Sequence, residues 1–216
     1  MSQTNKHQKR DSPKTRGYFI VFEGPHGSGK TTQAKMLFEY LSARGLKTRY
    51  TKEPYSDDLI QLIRKYSDDN LINSPVLMYL LAGDRCIHIR DIEYLIQNAF
   101  VAISDRYILS SWVYQQIQGI SLKTIKRTNY FAIKPYLTIY FDVPIAERIV
   151  RVRKMHGDLR TFFLREDKLI QEQKLYNELT DSWDERRYGK IAIIEGRLSI
   201  IEIHKKVLNL LPTKLK

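Results

Sequence analysis

A chain of 216 residues with a formal charge of +12 and a single cysteine is long enough to bury a core, yet cannot form an internal disulfide or a cysteine-built metal site. No apolar run approaches the roughly 20 residues that span a bilayer, and the N-terminal stretch lacks the apolar segment of a secretory signal, so a cytoplasmic location is expected. The positive charge suits a polyanionic partner, either a nucleic acid or the phosphates of a nucleotide, and does not choose between them.

In chain order, residues 1–17 hold Lys6, Lys9, Arg10, Lys14 and Arg16 against Asp11, a net of +4, and are expected to form a disordered basic tail ahead of one domain at 18–216. The apolar run "YFIVFEG" reads as a strand covered on both faces. It ends in a glycine loop, after which Ala34, Leu37, Phe38 and Leu41 recur at helical spacing, predicting a helix over Thr31 to Arg44 stopped by Gly45. The alternation continues through a strand in "KTRYTKEP", a helix around Asp57–Lys65 and an apolar helix from Ser74, in which Cys86 is expected to be half-buried. Next come the strands "FVAISD" and "LTIYFDV", a helix from Pro144, a long helix near Glu166–Leu179, the strand "KIAIIEG" and a last helix from Ser199. Strands alternating with helices predict an α/β fold of three layers, a parallel sheet of about five strands with helices on both faces.

The glycine loop "FEGPHGSGKTT" has Gly24, four residues, then Gly29, Lys30 and Thr31, the spacing of a phosphate-binding loop. Between a strand and a helix, the glycines turn backbone N–H groups toward an anion and the helix adds its positive end. Gly24, His26, Gly27, Ser28, Gly29, Lys30, Thr31 and Thr32 are therefore candidates for holding the phosphates of a nucleotide. Lys30 is expected to reach the outer phosphates and Thr31 to bind the accompanying Mg²⁺, with Asp105, at the end of "FVAISD", as the second metal-side oxygen. Asp142 is a weaker candidate, expected to cap the helix from Pro144.

The segments "FEGPHGSGKTT", "TKEP", "LLAGDR", "DRYILSSWVYQ" and "LTIYFDVPIAER", with Ile63-Arg64, together resemble the thymidylate kinase family, and the combination of "DRY" with "SS" and "YQ" is the most particular part. The resemblance implies transfer of the γ-phosphoryl group of ATP to dTMP, a P-loop NTPase fold and a homodimer. It gives Arg64 and Arg106 the acceptor's phosphate, Arg85 a base carbonyl, Ser111 and Gln115 the base edge and its surroundings, and Tyr114 the sugar's 2′ side, with Glu53 beside the acceptor. It also implies that a lid, around 151–163, supplies a catalytic arginine; Arg160 is the first choice and Arg153 the second.

Three positions depart from the family's pattern. His26 stands inside the loop where a carboxylate is usual; a histidine can still hydrogen-bond a hydroxyl. Leu81 takes the place of the phenylalanine that stacks on thymine, and Phe162 replaces an acidic lid residue. Losing a stacking ring is worth on the order of 1 kcal/mol, so dTMP stays the expected acceptor and a broader deoxynucleoside monophosphate range is the alternative. A nucleic-acid-associated P-loop ATPase is disfavoured because the basic residues lack the aromatic interleaving of a single-strand groove.

Overall fold

The computed structural model describes residues 16–67, 74–156 and 165–216. Most of the basic tail and residues 157–163 of the expected lid lie outside the described residues. The elements are β1 (Tyr18–Glu23), α1 (Lys30–Ala43), β2 (Thr48–Lys52), α2 (Asp57–Ser67), α3 (Ser74–Gln97), β3 (Val101–Asp105), α4 (Ile108–Ile117), α5 (Leu122–Thr128), β4 (Leu137–Asp142), α6 (Ile145–His156), α7 (Glu166–Asp181), α8 (Glu185–Tyr188), β5 (Lys190–Glu195) and α9 (Ile200–Leu210). The strands form one parallel sheet in the order β2-β3-β1-β4-β5. Among the described residues no helix is long and apolar enough to cross a membrane.

Side chains alternate along β1, which explains its continuous apolar run. Phe19 and Val21 enter the layer built by α3, α4, α5 and α7 with Met78, Trp112, Ile125 and Tyr176. Ile20 and Phe22 enter the opposite layer, where α1 and α9 contribute Leu37, Leu41, Ile203 and Val207. Because β1 lies between β3 and β4, the carboxyl ends of three adjacent strands open onto one crevice, the place where open α/β sheets bind ligands. Gly45, at φ 76°, ends α1 as expected, its N–H donating to Ser42 O at 2.9 Å.

Every strand and helix expected from the sequence is present, but α4, α5 and α8 were not expected. In α4 the sequence "ILSSWVYQQI" is buried on nearly every side, so it shows no amphipathic period, yet this helix carries Ser110, Ser111, Tyr114 and Gln115. Cys86 is exposed rather than half-buried, because it falls on the outer face of α3.

Candidate active site

The loop between β1 and α1 takes conformations that its glycines permit. Gly24 has φ 151° and Gly27 φ 77°, and a Cβ on Gly27 would lie 3.1 Å from Val152 Cγ2 and 3.3 Å from the Arg148 carbonyl. The loop borders a cavity of about 640 Å³ lined by His26, Gly27, Ser28, Gly29, Lys30, Thr31 and Thr32, with Arg106 and Arg151 beside them and Leu198, Ile200 and Met155 forming apolar walls. Lys30 is buried, its Nζ 3.4 Å from the Pro25 carbonyl. Burial and the nearby Arg106 push its ammonium down to about 7, so a bound polyphosphate would restore the full charge.

Asp105 ends β3 opposite Phe22 of β1. Its Oδ2 accepts from the Thr31 hydroxyl and, at 3.4 Å, from Tyr50, whereas its buried Oδ1 has no partner among the described residues. A hydroxyl beside an unsatisfied carboxylate oxygen is a donor set suited to Mg²⁺, which favours oxygen and keeps several waters when it arrives with a nucleotide. Asp142 is not a cap: its Oδ1 accepts from Gln173 Nε2 at 3.1 Å.

A second cavity of about 240 Å³ is lined by Glu53, Pro54, Ile63, Leu77, Leu81, Arg85, Tyr107, Ser110, Ser111, Tyr114 and Gln118, and again by His26 and Arg106. Those two residues line both cavities. Arg106 has φ 75°, a left-handed backbone that a residue with a side chain rarely adopts, and its Nη1 reaches Ser110 Oγ at 2.9 Å and the Gly24 carbonyl at 3.4 Å. Its guanidinium also lies 5.0 Å from the centre of the Tyr114 ring.

Buried carboxylates position this cavity. Glu23, at the end of β1, accepts from the backbone N–H of Tyr107 at 2.8 Å and of Ser110 at 3.1 Å, and from the Ser110 hydroxyl at 2.6 Å, so it caps α4 from the neighbouring strand. Burial raises its pKa against the opposing pull of Ser110 and Arg106. Glu53 accepts from Arg85 Nε at 3.1 Å and Nη2 at 2.5 Å, and pairs with His88 Nδ1 at 3.0 Å. Although burial opposes ionisation, Arg85 and His88 hold Glu53 below its ordinary value. Arg85 also donates to Asn129 Oδ1 and, at 2.7 Å, to Ser111 Oγ, so its fork is braced on three sides.

A third cluster surrounds His26. Glu172 of α7 accepts from the His26 backbone N–H and ring Nδ1, each at 3.0 Å, and from the Tyr114 hydroxyl, while its other oxygen takes Arg148 of α6. Arg148 Nε returns to the His26 carbonyl at 3.0 Å. Despite burial, the bonds from His26, Arg148 and Tyr114 hold the Glu172 carboxyl at about 2.

Of the residues singled out in the sequence, the first cavity gathers His26 to Thr32, and the second gathers Glu53, Leu81, Arg85, Arg106, Ser111 and Tyr114. Gly24 meets Arg106 through its carbonyl. Gln115 is fully buried, lines neither cavity, and has both amide atoms unpaired among the described residues. Arg153 is exposed, 3.3 Å from Glu166, and lines neither cavity. Tyr79, two residues before Leu81, is 64 % exposed and does not line the second cavity. The Arg64 side chain, Arg160 and Phe162 lie outside the described residues. Sequence reasoning missed Glu23, His88, Asn129, Arg148, Arg151 and Glu172. Arg151 in fact bridges the first cavity, its guanidinium 3.4 Å from the Gly27 carbonyl and 2.9 Å from that of Gly196.

A family model described as thymidylate kinase matches residues 22–207. A probable thymidylate kinase of Methanococcus aeolicus is 41% identical over 200 residues, covering 91% of this chain and 96% of that protein. A probable thymidylate kinase of Pyrococcus horikoshii is 36% identical over 211 residues, covering 93% of this chain and 98% of its own length.

Proposed function

The chain belongs to the thymidylate kinase family, and we propose that it transfers the γ-phosphoryl group of ATP to dTMP, giving dTDP. The observation that carries this reading is the pair of cavities that meet at His26 and Arg106, one floored by the glycine loop and Lys30, the other walled by apolar side chains with Arg85 and Ser111. ATP fits the first and a nucleoside monophosphate the second, so that the two phosphate chains meet head to head.

In this arrangement a phosphate oxygen of the acceptor attacks the γ-phosphorus in line while the bond to the β-bridging oxygen breaks, releasing ADP. The protein contributes alignment and positive charge rather than covalent chemistry. Lys30 holds the migrating group's oxygens, and Arg106, within reach of both cavities, neutralises the acceptor phosphate together with Arg64. Bidentate guanidinium groups suit that anion. Thr31 and Asp105 would hold Mg²⁺, which when bound neutralises charge on the β- and γ-phosphates. Arg151 lies over the donor cavity, and a further arginine, Arg160 or Arg153, completes the charge from the lid around 151–163 of a single unit at 18–216. Tyr114 crowds the sugar and Ser111, with Gln115 behind it, faces the base.

A broader acceptor range is the second reading, favoured by the aliphatic Leu81 and Leu77 in the base cavity. Initial rates with ATP, Mg²⁺ and a panel of dTMP, dUMP, UMP, CMP and dGMP decide between them. Preference for dTMP supports the first reading, and equal rates overturn it in favour of the second.

Two subunits are expected to pair through the outer face of α3, where Val76, Tyr79, Ile87 and Tyr94 are exposed in one stripe. Sedimentation at micromolar concentration checks this; a monomer would contradict it. An ATP-consuming enzyme with one exposed thiol fits a cytoplasmic setting.

A further inference from the structure

Arg106, which lines both cavities, is held in two ways at once. Its left-handed backbone, at φ 75°, is pinned on both sides: the N–H donates to Phe22 O at 2.9 Å and the carbonyl accepts from the Ser104 hydroxyl at 2.7 Å. Its guanidinium packs on the Tyr114 ring, 5.0 Å from the ring centre. Among the described residues, the hydrogen bonds of that guanidinium all fall on Nη1, to Ser110 Oγ at 2.9 Å, the Gly24 carbonyl at 3.4 Å and the Tyr176 hydroxyl at 3.5 Å. Nε and Nη2 have no protein partner there. That edge carries two parallel N–H groups, the fork that matches the oxygens of a phosphate.

Ser110 makes the shortest of the three Nη1 bonds and also lines the second cavity, where a serine hydroxyl would ordinarily donate to a ligand. Its proton is already committed. Oγ donates to Glu23 Oε2 at 2.6 Å, and the other oxygen of Glu23 accepts from the backbone N–H of Ser110 and Tyr107. Tyr176, a fully buried phenol that burial keeps protonated, donates to Ser110 Oγ at 3.1 Å. With its hydrogen on Glu23, Oγ has only lone pairs left, and Nη1 of Arg106 takes one of them. The bonds therefore run in one direction, from a cation through a hydroxyl to a buried carboxylate, each link polarising the next.

We propose that Ser110 is a positioning residue rather than a ligand of the acceptor: oriented by Glu23, its hydroxyl anchors Nη1 of Arg106, so that the Nε–Nη2 edge stays turned toward the phosphate of the nucleoside monophosphate. This rests on the reading of the second cavity as the monophosphate site. Without the anchor, Arg106 keeps its charge but not the edge it presents. Glu23 thus reaches the phosphate end of the site from inside β1, through one side chain of α4.

The test compares calorimetric dissociation constants of dTMP and thymidine in wild type, Ser110→Ala and Ser110→Cys. The two ligands differ only by the phosphate, so the ratio of their affinities isolates the grip on that group; cysteine keeps nearly the shape of serine but is a weak acceptor. Wild type is expected to favour dTMP by about a hundredfold or more, the range for two charge-assisted hydrogen bonds. Both variants should cut that ratio about tenfold with the affinity for thymidine little changed. Glu23→Asp, whose shorter carboxylate draws back from Ser110, should cut it in the same direction. In an Arg106→Ala background, Ser110→Ala should cut it no further, because its effect passes through that arginine. A further loss in that background makes Ser110 a direct ligand and overturns the positioning role, and an unchanged ratio in Glu23→Asp overturns the part given to Glu23. An unchanged ratio in both Ser110 variants, whether both ligands still bind or both weaken alike, overturns the inference and spares the kinase reading. A wild-type ratio near one defeats the reading of the second cavity as the monophosphate site.

Discussion

The two halves of the site are built from different material. The donor side is mostly backbone: one contiguous loop supplies N–H groups, and glycines at positive φ let the chain turn tightly around an anion. The acceptor side is built of side chains drawn from β1, the turn after β2, α3, α4, α7 and the residue after α5, and its charged members Glu23, Glu53, Arg85 and Glu172 are each held by a buried partner. A backbone site survives many substitutions outside its glycines and its lysine. A side-chain site fails whenever a brace is removed, even a brace that never touches a ligand, because a buried charge is then left unpaired.

The sharpest way to break the donor half is Lys30→Ala. Nothing else in the loop carries a permanent charge, so kcat is expected to fall about a thousandfold in single-turnover assays with dTMP binding retained. A loss of less than about tenfold would mean that the lid arginines, rather than the loop, carry the charge.

The acceptor half is broken most directly through Glu53→Gln. Arg85 is 2% exposed and Glu53 is its counter-ion, so removal of one partner is expected to cost about 3–5 kcal/mol in denaturant unfolding. Because Arg85 would lose its orientation, the KM for dTMP should rise while that for ATP stays nearly constant. Equal rises in both would argue that the two cavities are not independently braced.

Glu172 belongs to both halves, since it grips the loop from α7, and its contribution can be read from acid stability. Its carboxyl is depressed from 4.5 to about 2, so its stabilisation is present in full above pH 4.5 and is lost as the pH falls toward 2. The amount at stake is on the order of 3 kcal/mol at this buried site. The stability of wild type should therefore fall more steeply across that window than that of Glu172→Gln. Parallel curves would contradict the ion pair with Arg148.

The smallest effect is expected at the base end of the second cavity. Leu81→Phe introduces a flat ring at the base end and should lower the KM for dTMP by up to about tenfold, on the order of 1 kcal/mol, without altering the donor side. No change would show that Leu81 does not touch the base.

This division also explains what could be read in the sequence. The glycine loop was legible because its function requires adjacent residues in a fixed order, β1 and β3 because a strand covered on both faces is a short continuous apolar run, and α1 because its apolar residues recur at helical spacing. Arg85, Ser111 and Tyr114 came through family resemblance, and the helix that carries the last two was invisible, since α4 is apolar all round. Glu23, Asn129 and Glu172 left no local signal at all. Glu23 ends a strand 87 residues before the Ser110 it holds at the start of α4, and Glu172 lies 146 residues from the His26 it holds, so only the closed fold brings each pair together.

If ATP and the monophosphate meet head to head as proposed, the two cavities form one phosphate track that passes Arg106, which lines both. The most direct test is inhibition by a bisubstrate analogue in which adenosine and thymidine are joined 5′ to 5′ through a polyphosphate chain. It should bind far more tightly than either nucleotide alone and compete with both ATP and dTMP. Competition with only one of them, at an affinity no better than that nucleotide's own, would mean that the two cavities are separate sites.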